Sequence, residues 1–349
     1  MNPFDRYSGL VINGKFYQKN ELGRLAQDDK EEAFTREVLS FADQLFKNTE
    51  EVTFQTSGST GKPKAISFSK SAILKSADDT NQFFGLHKSH KALLSLPVAY
   101  VAGKMMIARA IAGEYELMCT PPSGAPLNSN IDFDFAPFTP YQFEQIIDNQ
   151  KDLLPDKAII LLGGSSVSSS LHKKIREVPN AVYLGFGMTE TLTHFAVGDL
   201  KSENFFFKNL PDTEIKIDDG GELSVFRNGI TSKWIKTTDI VKPISGGFIW
   251  KGRKDHIINS GGVKLHPEEI EKELAPYFSR PYFIYGLDDE KLGEKAVLFI
   301  EGTEETDLSS VQFAKKYSKP RDVIKMEKFL RTQSGKIKRK ATVDRWLNG

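Results

Sequence analysis

A strand–helix–strand succession between residues 157 and 186 narrows the possible folds more than any other stretch. KAIILLGG (157–164) is an apolar run that ends in glycines. SSVSSSLHKKIREV follows as a helix with serines before it to cap its first turn, and NAVYLGF (180–186) is a second apolar run. Buried strands alternating with helices argue for an α/β architecture. LLSLPVAYVAGKMMIARAIAG (93–113) has the length of a membrane span, but Pro97, Lys104 and Arg109 interrupt it. It reads instead as a buried strand followed by a buried helix, with no membrane span. Residues 31–47 predict an amphipathic helix with Phe34, Val38, Phe41, Ala42 and Leu45 on one face, and with Asp28 or Asp29 as its cap.

At 349 residues the chain has room for two domains. After about residue 205 the pattern changes. TEIKIDDGGELSVFRNG predicts short antiparallel strands and tight turns. Beyond WKGRKD a smaller α+β unit is expected, with a helix at 267–275 and a hairpin at 282–301. This places a domain boundary near Lys254–Asp255, dividing the chain into 1–253 and 254–349. The expected architecture is a large N-terminal α/β domain with a β-rich element, followed by a small α+β C-terminal domain. A net charge of +1 favours neither nucleic acid nor an anionic membrane. The segment 315–349 is basic but lacks interleaved aromatics, so no nucleic-acid partner is expected. The single cysteine, Cys119, excludes an internal disulfide, and the N-terminus has no signal-peptide pattern. The cytoplasm is the expected compartment.

FQTSGSTGKPK (54–64) carries the densest chemistry. Its glycines, hydroxyls and lysines suit a loop that wraps phosphate oxygens. It is not a Walker A loop. Pro63 follows Lys62, and the residue five before Gly61 is Thr56 rather than glycine. Pro63 also biases Lys62 away from a helix, which leaves a strand–loop–strand clamp over a polyphosphate or a plain surface hairpin.

TSGSTGKPK resembles the signature loop of the adenylate-forming superfamily, which comprises acyl- and aryl-CoA synthetases, luciferases and peptide-synthetase adenylation domains. GFGMTET (185–191), WIKTTDI (234–240), GRKDHIINSGGVKLHPEEIE (252–271) and RTQSGKIKR (331–339) match further stretches of that family in the same order. The chain is identified as a member on these five matches. The resemblance implies an enzyme that joins a carboxylate to AMP, releases pyrophosphate, and passes the acyl group to a thiol. ATP, Mg2+ and coenzyme A are then the expected cofactors, and a small carboxylic acid is the partner.

The family's roles carry over residue by residue. Thr56, Ser57, Gly58, Ser59, Thr60, Gly61 and Lys64 would hold the β- and γ-phosphates. Phe186 would stack on adenine, with Gly164 and Gly187 beside it. Thr189 would contact the α-phosphate and Glu190 would ligate magnesium. Asp239 and Arg253 would bind the ribose, although Thr237-Thr238-Asp239 departs from the usual Thr-Gly-Asp. Lys336 would bridge the carboxylate and the α-phosphate, where a compact ammonium offsets the repulsion of two anions. Lys254–Asp255 matches the hinge about which the mobile small domain rotates. Gly261 and Gly262 match the loop lining the thiol's tunnel.

Only 55 residues precede Thr56. Members of the family usually carry well over a hundred there, so a first subdomain truncated at its front is expected. In this compactness the chain resembles short bacterial o-succinylbenzoate–CoA ligases of menaquinone biosynthesis. Ala99-Tyr100 stands where related ligases have an aromatic-His pair, so any gating role passes to Tyr100 or is lost. That acid has a second carboxylate that does not react. Arg109, with Lys104 behind it, is the candidate cation, or else a paired core residue. Gly163, Ser165 and Ser166 would leave room and donors for the ring. A ligase for another aryl or fatty acid, a carrier-loading adenylation module and a nucleotide-binding regulator are the other readings.

Overall fold

The computed structural model describes residues 1–55, 65–129, 131–278, 280–303, 308–331 and 337–348. Residues 56–64 and 332–336, which carry the phosphate-loop assignments and Lys336, lie outside the described residues. The chain forms two compact units. One comprises Met1–Gly163, Val178–Ile215 and Val225–Ile235; the other comprises Gly164–Glu177, Lys216–Ser224 and Lys236–Gly349.

The first unit contains strands β1 (Gly9–Ile12), β2 (Lys15–Gln18), β3 (Glu51–Gln55), β4 (Ala65–Ser69), β5 (Lys91–Leu94), β6 (Glu116–Cys119), β7 (Phe135–Phe138), β8 (Ile159–Leu162), β9 (Val182–Gly187), β10 (His194–Asp199) and β11 (Phe207–Asn209). Its helices are α1 (Leu22–Leu25), α2 (Ala33–Phe46), α3 (Lys70–Phe84), α4 (Val101–Gly113) and α5 (Pro140–Asn149). Nine of these strands pair side by side in the order β2-β1-β6-β5-β7-β8-β9-β10-β11. The centre of this row, from β1 to β9, is parallel, and the β1/β2 and β9/β10/β11 pairs at its ends are antiparallel. This is the arrangement that apolar strands alternating with helices predict.

The apolar run at 93–113 ends β5 and then builds α4, whose residues from Met105 to Ile111 are all buried. Among the described residues no helix is long and apolar enough to cross a membrane. The amphipathic helix forms with its expected face inward, since Phe34, Val38, Phe41, Ala42 and Leu45 are all buried in α2. Its cap differs from the expectation. Glu32 occupies the N-cap position without a side-chain hydrogen bond, and Asp28 instead accepts from the Lys30 N–H at 3.0 Å. The strands β3 and β4 pair as a separate antiparallel ribbon whose register ends at Gln55↔Ala65, so residues 56–64 join two paired strand ends.

The second unit contains α6 (Ser169–Glu177) and the turn between β12 (Thr213–Ile217) and β13 (Glu222–Arg227). Ser168 caps α6 by accepting from the Leu171 N–H at 3.1 Å. Strands β14 (Ile235–Ile244) and β15 (Gly247–Arg253) pair antiparallel. A small sheet follows, built from β16 (Ile258–Ser260), β17 (Val263–Leu265), β18 (Tyr282–Asp289), β19 (Gly293–Glu301) and β20 (Asp322–Met326), with helices α7 (Pro267–Leu274) and α8 (Arg339–Leu347). The β18–β19 hairpin runs from Tyr282↔Ile300 to Asp289↔Gly293, where the sequence places a hairpin at 282–301. Its core gathers Ile258, Leu265, Ile270, Leu274, Ile284 and Leu298.

Candidate active site

The ribbon that frames residues 56–64 is set by alternation. Val52 and Phe54 of β3 point inward, and Phe54 lies edge-on to Phe41 (6.2 Å) and Phe68 (5.8 Å). The free side of β3 meets the segment leading into α4, where Gln55 and Tyr100 form a parallel bridge. Lys104 donates to the Thr53 carbonyl at 3.1 Å and lies over the rings of Phe41 and Phe54. Burial holds the Lys104 ammonium below the usual lysine range. Residues five apart leave a helix about 140° apart, so Lys104 and Arg109 take different directions. The structure does not bring them together.

GFGMTET folds as the end of β9 and a 3-10 turn at Thr189–Thr191. The Thr191 hydroxyl closes the turn by accepting from the Met188 N–H at 3.1 Å. A side chain at Gly187 would have its Cβ 2.3 Å from the Thr193 carbonyl oxygen, so only glycine permits β10 to approach here. Phe186 packs against Phe195 and Phe207, with ring centroids at 5.5 and 4.8 Å. Thr189 is half-buried and Glu190 is exposed. Among the described residues no group of three or more His, Cys, Asp or Glu gathers as a metal site. Magnesium bound mainly through substrate phosphates and water needs only one or two carboxylates. An exposed Glu190 fits that requirement.

Beneath this turn lies a buried polar cluster that sequence spacing did not reveal. Arg227, 1% exposed, pairs with Asp79 at 2.9 Å and donates to the Thr191 carbonyl at 3.2 Å. Asp79 also accepts from Lys75 at 3.1 Å. Ser76 and Thr193 share a 2.9 Å hydrogen bond, and Thr80 lies 3.5 Å from His194 Nε2. Arg109 is 3% exposed, and the one hydrogen bond of its side chain among the described residues runs to the Met106 sulfur at 3.5 Å. Among the described residues its Nε has no partner and no carboxylate meets it. Burial lowers the Arg109 guanidinium to about 10, which leaves it charged at neutral pH. Burial, with the charges of Arg109 and Arg227, holds His194 well below its ordinary value, so it is neutral.

A depressed histidine has a consequence for stability. The unfolded chain takes up this proton near pH 6.5 and the native protein does not. The contribution is therefore complete above that pH and is lost as the pH falls toward the native value. The thermal midpoint of the wild type is expected to drop more steeply between pH 7 and 5 than that of His194→Gln. Equal slopes in the two proteins would contradict this account of His194.

In the second unit the β14/β15 register sets Asp239 opposite Arg253. Asp239 is 9% exposed, and its carboxylate accepts from Trp250 Nε1 at 2.8 Å. Burial raises the Asp239 carboxyl, while the Trp250 hydrogen bond and the Arg253 charge act against that rise. Arg253 makes a two-point contact with Asp255, both bonds at 2.9 Å, which holds Asp255 below the usual carboxylate range. Lys254 pairs with Glu222. The candidate hinge thus starts from a 3-10 turn, Lys254–His256, tied by ion pairs on both sides. Gly261 and Gly262 have φ of +59° and +81° and close the two-residue β16–β17 turn. Positive φ at both positions explains why glycines stand there. Gly163 and Gly164 have no atom within 4 Å of an added Cβ, and Ser165 beside them is half-buried. Tyr100 stands at the N-cap position of α4 and is 37% exposed.

A family model described as AMP-binding enzyme matches residues 22–230, more than half of the 349-residue chain. The chain belongs to the AMP-binding enzyme family. Among curated relatives, the 2-succinylbenzoate–CoA ligase of Listeria monocytogenes is 26% identical over 341 residues, covering 83% of this chain and 69% of the relative. The ligase of the same name from Escherichia coli is 27% identical over 271 residues, covering 73% and 59%. Among solved structures, an AMP-forming acyl-CoA synthetase/AMP-acid ligase II-like protein of Dyadobacter fermentans superposes with a TM-score of 0.64 at 29% identity, covering 94% of this chain and 98% of that one. An o-succinylbenzoate coenzyme A synthetase of Bacillus subtilis, solved with ATP and magnesium ion, has a TM-score of 0.72 at 20% identity over 96% of this chain and 84% of that one, a likeness of fold. The family and these relatives make the chain an AMP-forming acyl- or aryl-CoA ligase, as its five ordered motifs imply.

Proposed function

We propose that this ligase activates o-succinylbenzoate with ATP and Mg2+ to the acyl-adenylate, releases pyrophosphate, and transfers the acyl group to coenzyme A. The supporting observation is Arg109, a buried cation that no carboxylate among the described residues balances. An unpaired buried charge costs several kcal/mol, and an anionic ligand that meets it recovers much of that cost. An acid with a second, unreactive carboxylate offers such an anion. The names of the Listeria and E. coli relatives point to the same acid.

In this reading residues 56–64 hold the β- and γ-phosphates, Phe186 stacks on adenine, and Thr189 contacts the α-phosphate. Glu190 ligates magnesium, Asp239 and Arg253 hold the ribose, and Lys336 bridges the two reacting anions. Tyr100, Gly163 and Ser165 border the acid. Residues 254–349 rotate about Lys254–Asp255 between the half-reactions, and Gly261 and Gly262 then border the thiol. The discriminating test compares o-succinylbenzoate with 4-oxo-4-phenylbutanoate, which lacks the ring carboxylate. The dianion is expected to have the higher kcat/KM by about a hundredfold, the scale of a buried charge-assisted contact. Equal values for the two acids would overturn the assignment.

The ribose assignment has its own test. Trp250→Phe removes the donor to Asp239 and keeps an aromatic ring in place. The KM for ATP is expected to rise about three- to tenfold with kcat little changed, the scale of one hydrogen bond. An unchanged KM would separate Asp239 from nucleotide binding.

A further inference from the structure

The ribbon formed by β3 and β4 has only two strands. A two-stranded ribbon is marginally stable alone. Here the outer side of β3 is occupied by the segment that enters α4. Gln55 bridges Tyr100, and two residues earlier the Thr53 carbonyl accepts from Lys104 Nζ at 3.1 Å. The Lys104 ammonium also sits 5.3 Å from the Phe41 ring centroid and 5.2 Å from that of Phe54. Phe41 belongs to α2 and Phe54 to β3, so one side chain clasps three elements. Thr53 and Gln55 are the last outward-facing residues before the chain enters 56–64.

We infer that Lys104 is a positioning residue for ATP: it latches the end of β3, and so sets where the phosphate-binding segment leaves the sheet. Lys104 then serves the nucleotide rather than the acid. This inference rests on the reading of residues 56–64 as the phosphate loop. A frayed end of β3 must re-form when ATP binds, and that ordering weakens nucleotide affinity. The Lys104 side chain meets Thr53, Phe41 and Phe54, none of them assigned to the acid, so the KM for the acid is expected to stay near the wild-type value.

The test uses Lys104→Met, which keeps an unbranched stem over Phe41 and Phe54 but cannot donate to Thr53, and Lys104→Arg, which can. With o-succinylbenzoate as the acid, Lys104→Met is expected to raise the KM for ATP about tenfold, the scale of one charged hydrogen bond, and to leave the KM for the acid within about twofold. Hydrogen exchange without ATP is expected to speed up at 51–55 and 65–69, and Lys104→Arg is expected to restore both properties. A rise in the KM for the acid with none for ATP overturns the inference. So does a higher KM for ATP with unchanged exchange, which would mean that the ammonium meets the nucleotide directly. Lys64→Met tests the underlying reading separately. A wild-type KM for ATP in that variant overturns the assignment of 56–64, whereas wild-type exchange in Lys104→Met overturns the latch.

Discussion

Lys336→Ala is expected to lower acid-dependent pyrophosphate release about 10²–10³-fold, the range for removing one preorganised donor from a site of developing charge. Thioester formation from a supplied acyl-adenylate should stay within about twofold of wild type, because an interaction made in one transition state affects one rate. In the first half-reaction a carboxylate must approach the α-phosphate, and both are anions. A point charge between them lowers the repulsion where they meet. In the second half-reaction the anhydride already exists and a thiol attacks its carbonyl carbon, so that repulsion is gone. Single-turnover assays of the two halves separate the outcomes. Equal loss in both would mean that Lys336 supports the small domain rather than the chemistry.

Arg109→Met carries the second large effect, and it has two opposite parts. Removing a buried cation that nothing balances relieves its desolvation cost, so the thermal midpoint of the ligand-free protein is expected to hold or rise. The same change leaves the second carboxylate of o-succinylbenzoate without a partner in a dry site. Loss of one partner from such a pair costs about 2–5 kcal/mol, or roughly thirtyfold and upward in kcat/KM. Activity toward 4-oxo-4-phenylbutanoate should change little. A stable variant that has lost only the dianionic acid therefore identifies Arg109 as its subsite. A destabilised variant with equal losses on both acids would identify a core residue. The buried position of Arg109 among Met106, Tyr115 and Arg227 makes the distinction sharp, since every rearrangement there is felt by the core.

The elements that the sequence predicts well are those set by local pattern. Residues 51–55 and 65–68 alternate and pair as β3 and β4, and LDDEKLGEK lies at the reversal from β18 to β19. The helix expected at 267–275 begins at Pro267, the position where a missing N–H costs nothing. The cap of α2 was not legible, because a cap depends on how the preceding chain enters, and Asp28 closes its own local turn instead. The motifs located Asp239 and Arg253 individually. Their cross-strand pairing follows from a register with a bulge between Ile240 and Val241, which fourteen residues of spacing do not encode. Trp250 as a donor to Asp239 depends on that same register. The Arg227–Asp79 pair joins residues 148 apart in sequence, and no periodicity signals it. Lys104 was legible as an interruption of an apolar run, but its acceptor, a backbone carbonyl, carries no sequence signature.

The most direct test of the central claim follows pyrophosphate and product mass together in a reaction containing the full chain, ATP, Mg2+ and o-succinylbenzoate, with benzoate and a medium-chain fatty acid run in parallel. Without coenzyme A, a burst of pyrophosphate and the mass of o-succinylbenzoyl-adenylate are expected. With coenzyme A, turnover should continue and the thioester should accumulate. Pyrophosphate release that ignores o-succinylbenzoate but follows one of the other acids would contradict the account.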